Sequence, residues 1–428
     1  MLSGGITKAE IITIGDELLY GHVVDTNAAF ISEAITAAGA QVFWRVTVGD
    51  DVELITEAIA RAMQRSDLVL TTGGLGPTSD DLTKKAICKY FKRPLVFHDD
   101  ILRDVENRFK VRGITMPAIN QNQALLPQGA AFVPNTRGSA VGIVFEENGH
   151  LFVSMPGVPD EMEAMVTGWV SDTIRKRSGG NITLHRKIRA VGIFESALFE
   201  KISDLAEIKN TGESKLTIAF LPSRRGIDLR LTITTRNQKE GQRLIDDLES
   251  KIKERIGSYI YGYDNETLPE IIGKLLRERR MTLSVAESCT GGLLGKLITD
   301  IPGSSDYFLG GIIAYSNDLK IKLLSVPAAI LAKHGAVSEE CACFMADSAR
   351  KNLGTDIAVS ITGVAGPEGG TFEKPVGLIF IALSTADKVV VRREQFGAER
   401  DRNRERSATI ALDMIRRYLI GQLIEQVD

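Results

Sequence analysis

The seven residues AESCTGG, Ala286 to Gly292, put a serine, a cysteine, a threonine and two glycines into one short stretch. An apolar run, MTLSV, precedes them, and GLLGKLITD with helical spacing follows, so Ser288 falls where a strand becomes a helix. A side chain at such a junction can point into a cleft. N–H groups of the following residues, without intrahelical acceptors, can hold an oxyanion or a phosphate. Gly291 and Gly292 remove side chains that would block a ligand. A serine nucleophile needs a base. His334, in AKHGAVS, is the single histidine beyond Asn265, which leaves a Ser–His–Asp triad thinly supported. AYSNDLK places Tyr315 and Lys320 just after a second strand, and ITGVAGP places Thr362 at the end of a third. A lysine whose pKa falls on burial can serve as the base, so a Ser288–Lys320 pair is the favoured chemistry. Cys289 is the rival nucleophile, because a helix N-terminus depresses a thiol pKa. The bland alternatives are an N-cap role for Ser288 and simple packing for Cys289. No GxSxG elbow is present, so an α/β-hydrolase is not indicated.

Two loops near the start of the chain offer a different chemistry. GDELLYG, Gly15 to Gly21, and TTGGLGPTSDD, Thr71 to Asp81, each follow a strand-like run. Loops leaving the carboxyl ends of parallel strands converge on one edge, where α/β proteins bind ligands. Gly73, Gly74 and Gly76 would let backbone N–H groups approach an anion, and Asp16, Glu17, Asp80 and Asp81 could supply hard oxygen ligands for Mg²⁺ or a similar cation. The alternative is a tight glycine turn with carboxylates as helix caps. No Lys-Ser or Lys-Thr follows the glycines, so this is not a P-loop.

The elements that must position these loops read as an α/β protein. The chain has 428 residues, more than one ordinary core accommodates. Strand and helix signals alternate over residues 1–175, the signature of a parallel sheet. RKRSGGN, Arg175 to Asn181, reads as a linker. Residues 181–260 read as a small α+β module with LPSRRG as a hairpin loop, and residues 265–428 as a second α/β domain. The expected architecture is therefore two three-layer α/β domains with parallel or mixed sheets, joined by the small module. Hydrophobic residues make up 43% and charged residues 25%, with net charge −3, which argues against a global attraction to nucleic acid or an anionic membrane. No apolar run approaches the roughly 20 residues that span a bilayer. The N-terminus lacks the apolar core of a signal peptide. Four cysteines without a CxxC pair fit a reducing cytoplasm rather than structural zinc or disulfides.

Longer motifs carry a family resemblance. AESCTGG, GGIIAYSNDLK, GAVSEE, ITGVAGPEGG and KPVGLIFIAL resemble the C-terminal domain of the CinA (competence/damage-inducible) family, the nicotinamide mononucleotide deamidase PncC. IGDELLYG, DTNAAFISEAI, TTGGLGPTSDD and FVSMPGVPDEM resemble the CinA N-terminal domain, which is similar to the molybdopterin-binding MoaB/MogA fold. The resemblance implies deamidation of nicotinamide mononucleotide to nicotinate mononucleotide and ammonia without a cofactor. It implies Ser288 as nucleophile, Lys320 as base, and Tyr315 and Thr362 as supporting hydroxyls. It also implies an arginine from a closing GDR segment as phosphate ligand. Here that segment reads FGAERDRNRERSA, in which Arg402 fits by its distance to Arg406 and Arg400 competes. For the N-terminal domain the resemblance implies metal-dependent hydrolysis of ADP-ribose, and for the whole chain a homodimer. Two other functions stand beside this bifunctional hydrolase. One is a single-activity deamidase with a nucleotide- or pterin-binding first domain. The other is a non-enzymatic accessory of DNA uptake or repair, against which the acidic balance argues.

Overall fold

The computed structural model describes residues 7–78, 81–111, 113–206, 209–211, 214–224 and 226–422. It is a mixed α/β protein, and contacts divide it into two compact units. One runs to Leu184 and includes Asn210–Lys215 and Ile233–Gln242; the remainder forms the other.

The first unit is built on a six-stranded sheet in the order Ala40–Val48, Thr7–Ile14, Leu68–Thr72, His150–Met155, Gly142–Glu147, Ala131–Val133. The first four strands are parallel and the last two antiparallel. The antiparallel turn is made at Asn148 and Gly149, both with positive φ, the backbone that a tight hairpin requires. Leu68–Thr72 is buried at every position, as expected of a strand covered on both faces. Helix Val52–Arg65 starts at Asp51, whose carboxylate accepts from the N–H groups of Glu53 and Leu54, and it buries Ile55, Ile59, Ala62 and Met63. Its partner on the opposite face is Thr26–Ala37, capped by Asp25 and burying Ala28, Ile31 and Ile35.

The middle of the chain folds as a third sheet, in which Ser214–Ser223 and Gly226–Thr235 form the hairpin expected around LPSRRG. Arg225 of that loop lies outside the described residues.

The sheet of the C-terminal region runs Phe308–Ile313, Leu283–Glu287, Ile357–Gly363, Leu378–Ser384, Val389–Gln395. Its first three strands are parallel and its last two antiparallel. Side chains alternate between faces along each strand. Leu283, Val285, Ile357, Val359 and Ile361 face a core shared with helices Leu268–Arg279, Leu293–Thr299 and Arg400–Leu419. Ala286 and Ala358 face the other core, with helices Asn317–Leu324 and Glu339–Leu353. Helix Leu268–Arg279 opens with a full capping box between Thr267 and Glu270, followed by a proline in its first turn. No helix among the described residues is long and apolar enough to cross a membrane.

The closing helix Arg400–Leu419 is anchored near its end by a buried charge cluster. Asp413 accepts from Arg416 Nε (2.9 Å) and Arg417 Nε (2.7 Å), while Arg416 also donates to the carbonyls of Ser258 and Ile260. All three side chains are buried. Replacing Asp413 with alanine leaves two guanidinium groups without their carboxylate. Breaking a buried pair in this way costs about 3–5 kcal/mol. A lowered midpoint in urea unfolding is expected for Asp413→Ala. An unchanged midpoint would show that the cluster does not hold the helix in place.

Candidate active site

Strand alternation decides which side chain of the sequence AES goes where. Val285 faces the core of the closing helix, so Glu287 shares that face, and Ser288 turns to the other, toward helix Asn317–Leu324. Lys320 lies on that helix, whose N-cap is Ser316. Its Nζ is 3.0 Å from Ser288 Oγ, 2.8 Å from the Ala314 carbonyl and 3.3 Å from the Tyr315 carbonyl. Lys320 is 1% exposed and Ser288 8% exposed. Burial pulls the Lys320 pKa below its usual value by penalising the charged form. The three partners are not equivalent. Two are carbonyls, which only accept; the third is a hydroxyl, which can also donate. A neutral amine in this position gives its two N–H groups to the carbonyls and turns its lone pair to the serine.

Cys289 lies in the core, and burial pushes its thiol up to about 12. A thiol in that state is not a nucleophile near neutral pH. His334 pairs through Nδ1 with Glu340 Oε1 at 2.9 Å, whereas the nitrogen beside Ser288 belongs to Lys320. Thr362 is on the same sheet face as Ser288, but its hydroxyl donates to the Ala336 carbonyl at 2.8 Å. It ties down the segment before helix Glu339–Leu353 instead of touching the Ser–Lys pair. Tyr315 is 61% exposed, and its hydroxyl accepts from Arg400 at 3.2 Å.

The helix after Ser288 does not begin with free N–H groups. Glu287, 1% exposed, accepts from Gly292 (2.9 Å), Leu294 (3.1 Å) and Gly295 (2.8 Å). Gly291 N donates to Ser288 O and Leu293 N to Thr290 O. In this turn the N–H group of Thr290 has no acceptor among the described residues, and that of Cys289 meets only its own side-chain sulfur. Gly291 and Gly292 both have positive φ, at 57° and 92°. A side chain at 291 would meet little besides Arg404, so the approach there is open.

The closing helix delivers Arg400, not Arg402. Arg400 donates to Gly366 O (2.8 Å) and to Tyr315 Oη, joining two of the strand-end loops. Arg402 pairs with Glu399 at 3.4 Å on the half-exposed side. Two residues along a helix turn the side chain by about 200°, whereas four return it to the same face. Arg404 accordingly points to the site, with Nε and Nη2 on the Thr290 carbonyl at 3.3 and 2.8 Å. Arg402 shares its face with Arg406, which stacks over Phe396. The four-residue spacing of arginines was the available signal. For Glu287 the signal was its position one residue before the serine, on the opposite sheet face.

In the first unit a cleft opens beyond the ends of strands Thr7–Ile14 and Leu68–Thr72, with Glu17, Asp25, Asn27, Thr72, Gly73 and Gly157 in its wall. Asn27 holds two of these segments together, donating to Thr72 Oγ1 (3.3 Å) and Gly157 O (2.8 Å). A Cβ on Gly73 would lie 2.1 Å from Ile14 O, and one on Gly74 2.3 Å from Thr83 Oγ1, so both glycines are required by close approach. A Cβ on Gly76 would strike Asp81. Asp81 itself accepts from Gly76 N (2.8 Å), Thr78 N (2.9 Å) and Thr78 Oγ1, which makes it the cap of the glycine loop. The Asp16 carboxylate accepts from Asp50 N (3.2 Å), and the Asp50 carboxylate from Asp16 N (3.1 Å). Asp80 lies outside the described residues. Among the described residues no three His, Cys, Asp or Glu side chains converge as a metal site, and Asp81, one of the expected ligands, spends both oxygens on the loop.

Three family descriptions match the chain in succession. These are a probable molybdopterin binding domain over residues 10–176, the KH domain of damage-inducible protein CinA over 185–262, and the CinA C-terminal domain over 265–419. A putative competence-damage inducible protein of Halothermothrix orenii is 42% identical over 96% of this chain and 98% of its own length. A CinA-like protein of Kosmotoga olearia is also 42% identical, over 96% of this chain and 99% of its own. The crystal structure of a competence/damage inducible protein from Agrobacterium tumefaciens matches 36% of this chain and 93% of its own, at 36% identity and a TM-score of 0.35. The chain belongs to the CinA (competence/damage-inducible) family.

Proposed function

We propose that the chain is a hydrolase of pyridine nucleotides whose C-terminal region deamidates nicotinamide mononucleotide. The observation that carries this reading is the buried Lys320 amine 3.0 Å from Ser288 Oγ. In the proposed reaction neutral Lys320 takes the Ser288 proton as Oγ attacks the carboxamide carbon. The carbonyl electron pair moves to oxygen, facing the N–H groups of Cys289 and Thr290. The ammonium form of Lys320 then gives its proton to the departing nitrogen, and ammonia leaves an ester on Ser288. Water, deprotonated by the same amine, attacks that ester. Nicotinate mononucleotide is released and the proton returns to Ser288. No oxidant, reductant or cofactor enters the balance. Arg400, held between Tyr315 Oη and Gly366 O, supplies the cation for the substrate's phosphate.

The first unit is proposed to bind and cleave ADP-ribose in its cleft, a reading supported by the cleft's position at the carboxyl ends of parallel strands.

Ammonia release from nicotinamide mononucleotide tests the first reading directly. Ser288→Ala is expected to abolish it, and Lys320→Ala to lower kcat by roughly 10²–10⁴-fold, the usual contribution of a positioned general base. Cys289→Ala is expected to keep most of the activity. A dead Cys289→Ala beside an active Ser288→Ala would overturn the assignment.

The pH profile carries a sign. Burial disfavours the charged amine, so the Lys320 pKa lies below its usual value, and the reactive neutral form increases as pH rises through it. The ratio kcat/KM should climb with pH to a plateau, with its midpoint below the ordinary lysine value. A profile flat from acid to alkaline pH would exclude Lys320 as the base.

For the cleft, Asn27→Ala removes the tie between Thr72 and Gly157 and is expected to weaken ADP-ribose binding by about tenfold, as the loss of about one net hydrogen bond would. Calorimetric titration of ADP-ribose measures it. Unchanged affinity would place the ligand elsewhere.

A further inference from the structure

The turn that carries the nucleophile has a mechanical difficulty. Gly291 keeps its approach open and Gly292 avoids Ile313, but two consecutive glycines in the left-handed region make the backbone between them easy to rotate. An oxyanion site works only if its donors are held in place before the reaction. Two side chains restrain the turn from outside. From the sheet, the Glu287 carboxylate takes the N–H groups of Gly292, Leu294 and Gly295. From the closing helix, the Arg404 guanidinium takes the Thr290 carbonyl with two N–H groups, at 2.8 and 3.3 Å. That carbonyl belongs to the peptide plane leading into Gly291, whose own N–H returns to Ser288 O. Glu287 therefore fixes the far end of the turn, and Arg404 fixes the plane next to the N–H groups of Cys289 and Thr290. The guanidinium also brings positive charge to a turn that already holds a buried carboxylate and is proposed to receive an oxyanion.

We infer that Arg404 is a positioning residue for acyl transfer at Ser288. By holding the Thr290 carbonyl, it keeps the N–H groups of Cys289 and Thr290 directed at the developing oxyanion. The inference rests on the reading of Ser288 as nucleophile, but not on the identity of the natural amide. Arg404 is separate from the phosphate-binding role given to Arg400, since both of its close bonds go to main chain.

The test uses the full chain and two substrates. With nicotinamide mononucleotide, Arg404→Ala is expected to lower kcat by about tenfold to a hundredfold, less than or equal to the loss of one oxyanion donor, with KM little changed. Arg404→Lys, which can return one N–H to the same carbonyl, should recover part of the loss. With p-nitrophenyl acetate, a generic acyl donor, the rate of acylation at Ser288 followed by intact mass should fall by a similar factor, with Ser288→Ala as the unlabelled control. Unchanged melting temperature separates the effect from unfolding. A wild-type acylation rate in Arg404→Ala would overturn the inference. So would a raised KM with unchanged kcat, which would make Arg404 a substrate ligand. If the chain acylates from the ester and Arg404→Ala slows it, but no ammonia is released from nicotinamide mononucleotide, then the positioning role stands and the substrate reading fails.

Discussion

An amine buried at 1% exposure between two carbonyls and a hydroxyl is the interaction around which the C-terminal region is arranged. Water would solvate the ammonium far better than this site does, so the fold must provide acceptors that only main chain can place so closely. Two of the three come from the short link between strand Phe308–Ile313 and the helix that carries Lys320. The link therefore has two functions. It turns the chain from sheet to helix, and it presents Ala314 and Tyr315 carbonyls to the side chain six and five residues on. The desolvation that lowers the amine's pKa and the orientation of its lone pair have the same source.

The opposite face of the same strand carries the complementary charge. Glu287 is buried without a cationic partner among the described residues, yet three N–H groups surround it. Hydrogen bonds to a carboxylate are charge-assisted, and a helix start offers N–H groups that have no other use. The protein's own anion thus occupies the helix start that the sequence offers to an oxyanion or a phosphate. A cation from the closing helix, Arg400, stands instead at the neighbouring strand-end loops. That helix reaches the site at Arg400, Asn403 and Arg404 and is fixed at its other end by Asp413.

Much of this was legible in the chain itself. The alternation of apolar strand-like runs with helical spacing is enough for two α/β sheets, because each period is set by side-chain geometry rather than by distant contacts. The placing of Ser288, Tyr315 and Thr362 at strand ends, with Lys320 shortly after one, follows from the same rhythm. What was not legible depends on phase and on partners. Ser288 and Glu287 are one residue apart, and the sequence does not announce which faces which helix. Arg402 was preferred by its spacing from Arg406, and that spacing holds, but it identifies the face turned away from the strand-end loops. Asp81 is a ligand-type residue by chemistry, yet the glycine loop's own N–H groups consume its oxygens. Thr362 spends its hydroxyl on a loop carbonyl. For Asp81 and Thr362 a backbone group outcompetes the expected ligand, and such competition is invisible until the loop is folded.

Placing Glu287 and Ser288 back to back on one strand also limits how this chain can change its length over time. One residue gained or lost within Leu283–Glu287 would exchange the faces, sending the hydroxyl into the packed core and the carboxylate into the site. One residue gained at the start of the closing helix would turn Arg400 and Arg404 away by about 100°. A residue gained in the link at Gly397–Glu399 does neither, and lengthening a loop costs little. Drift in length is thus channelled into the connections, while strands and helix keep a fixed count. Ancestry can be blurred in the loops of such a protein long before its chemistry is.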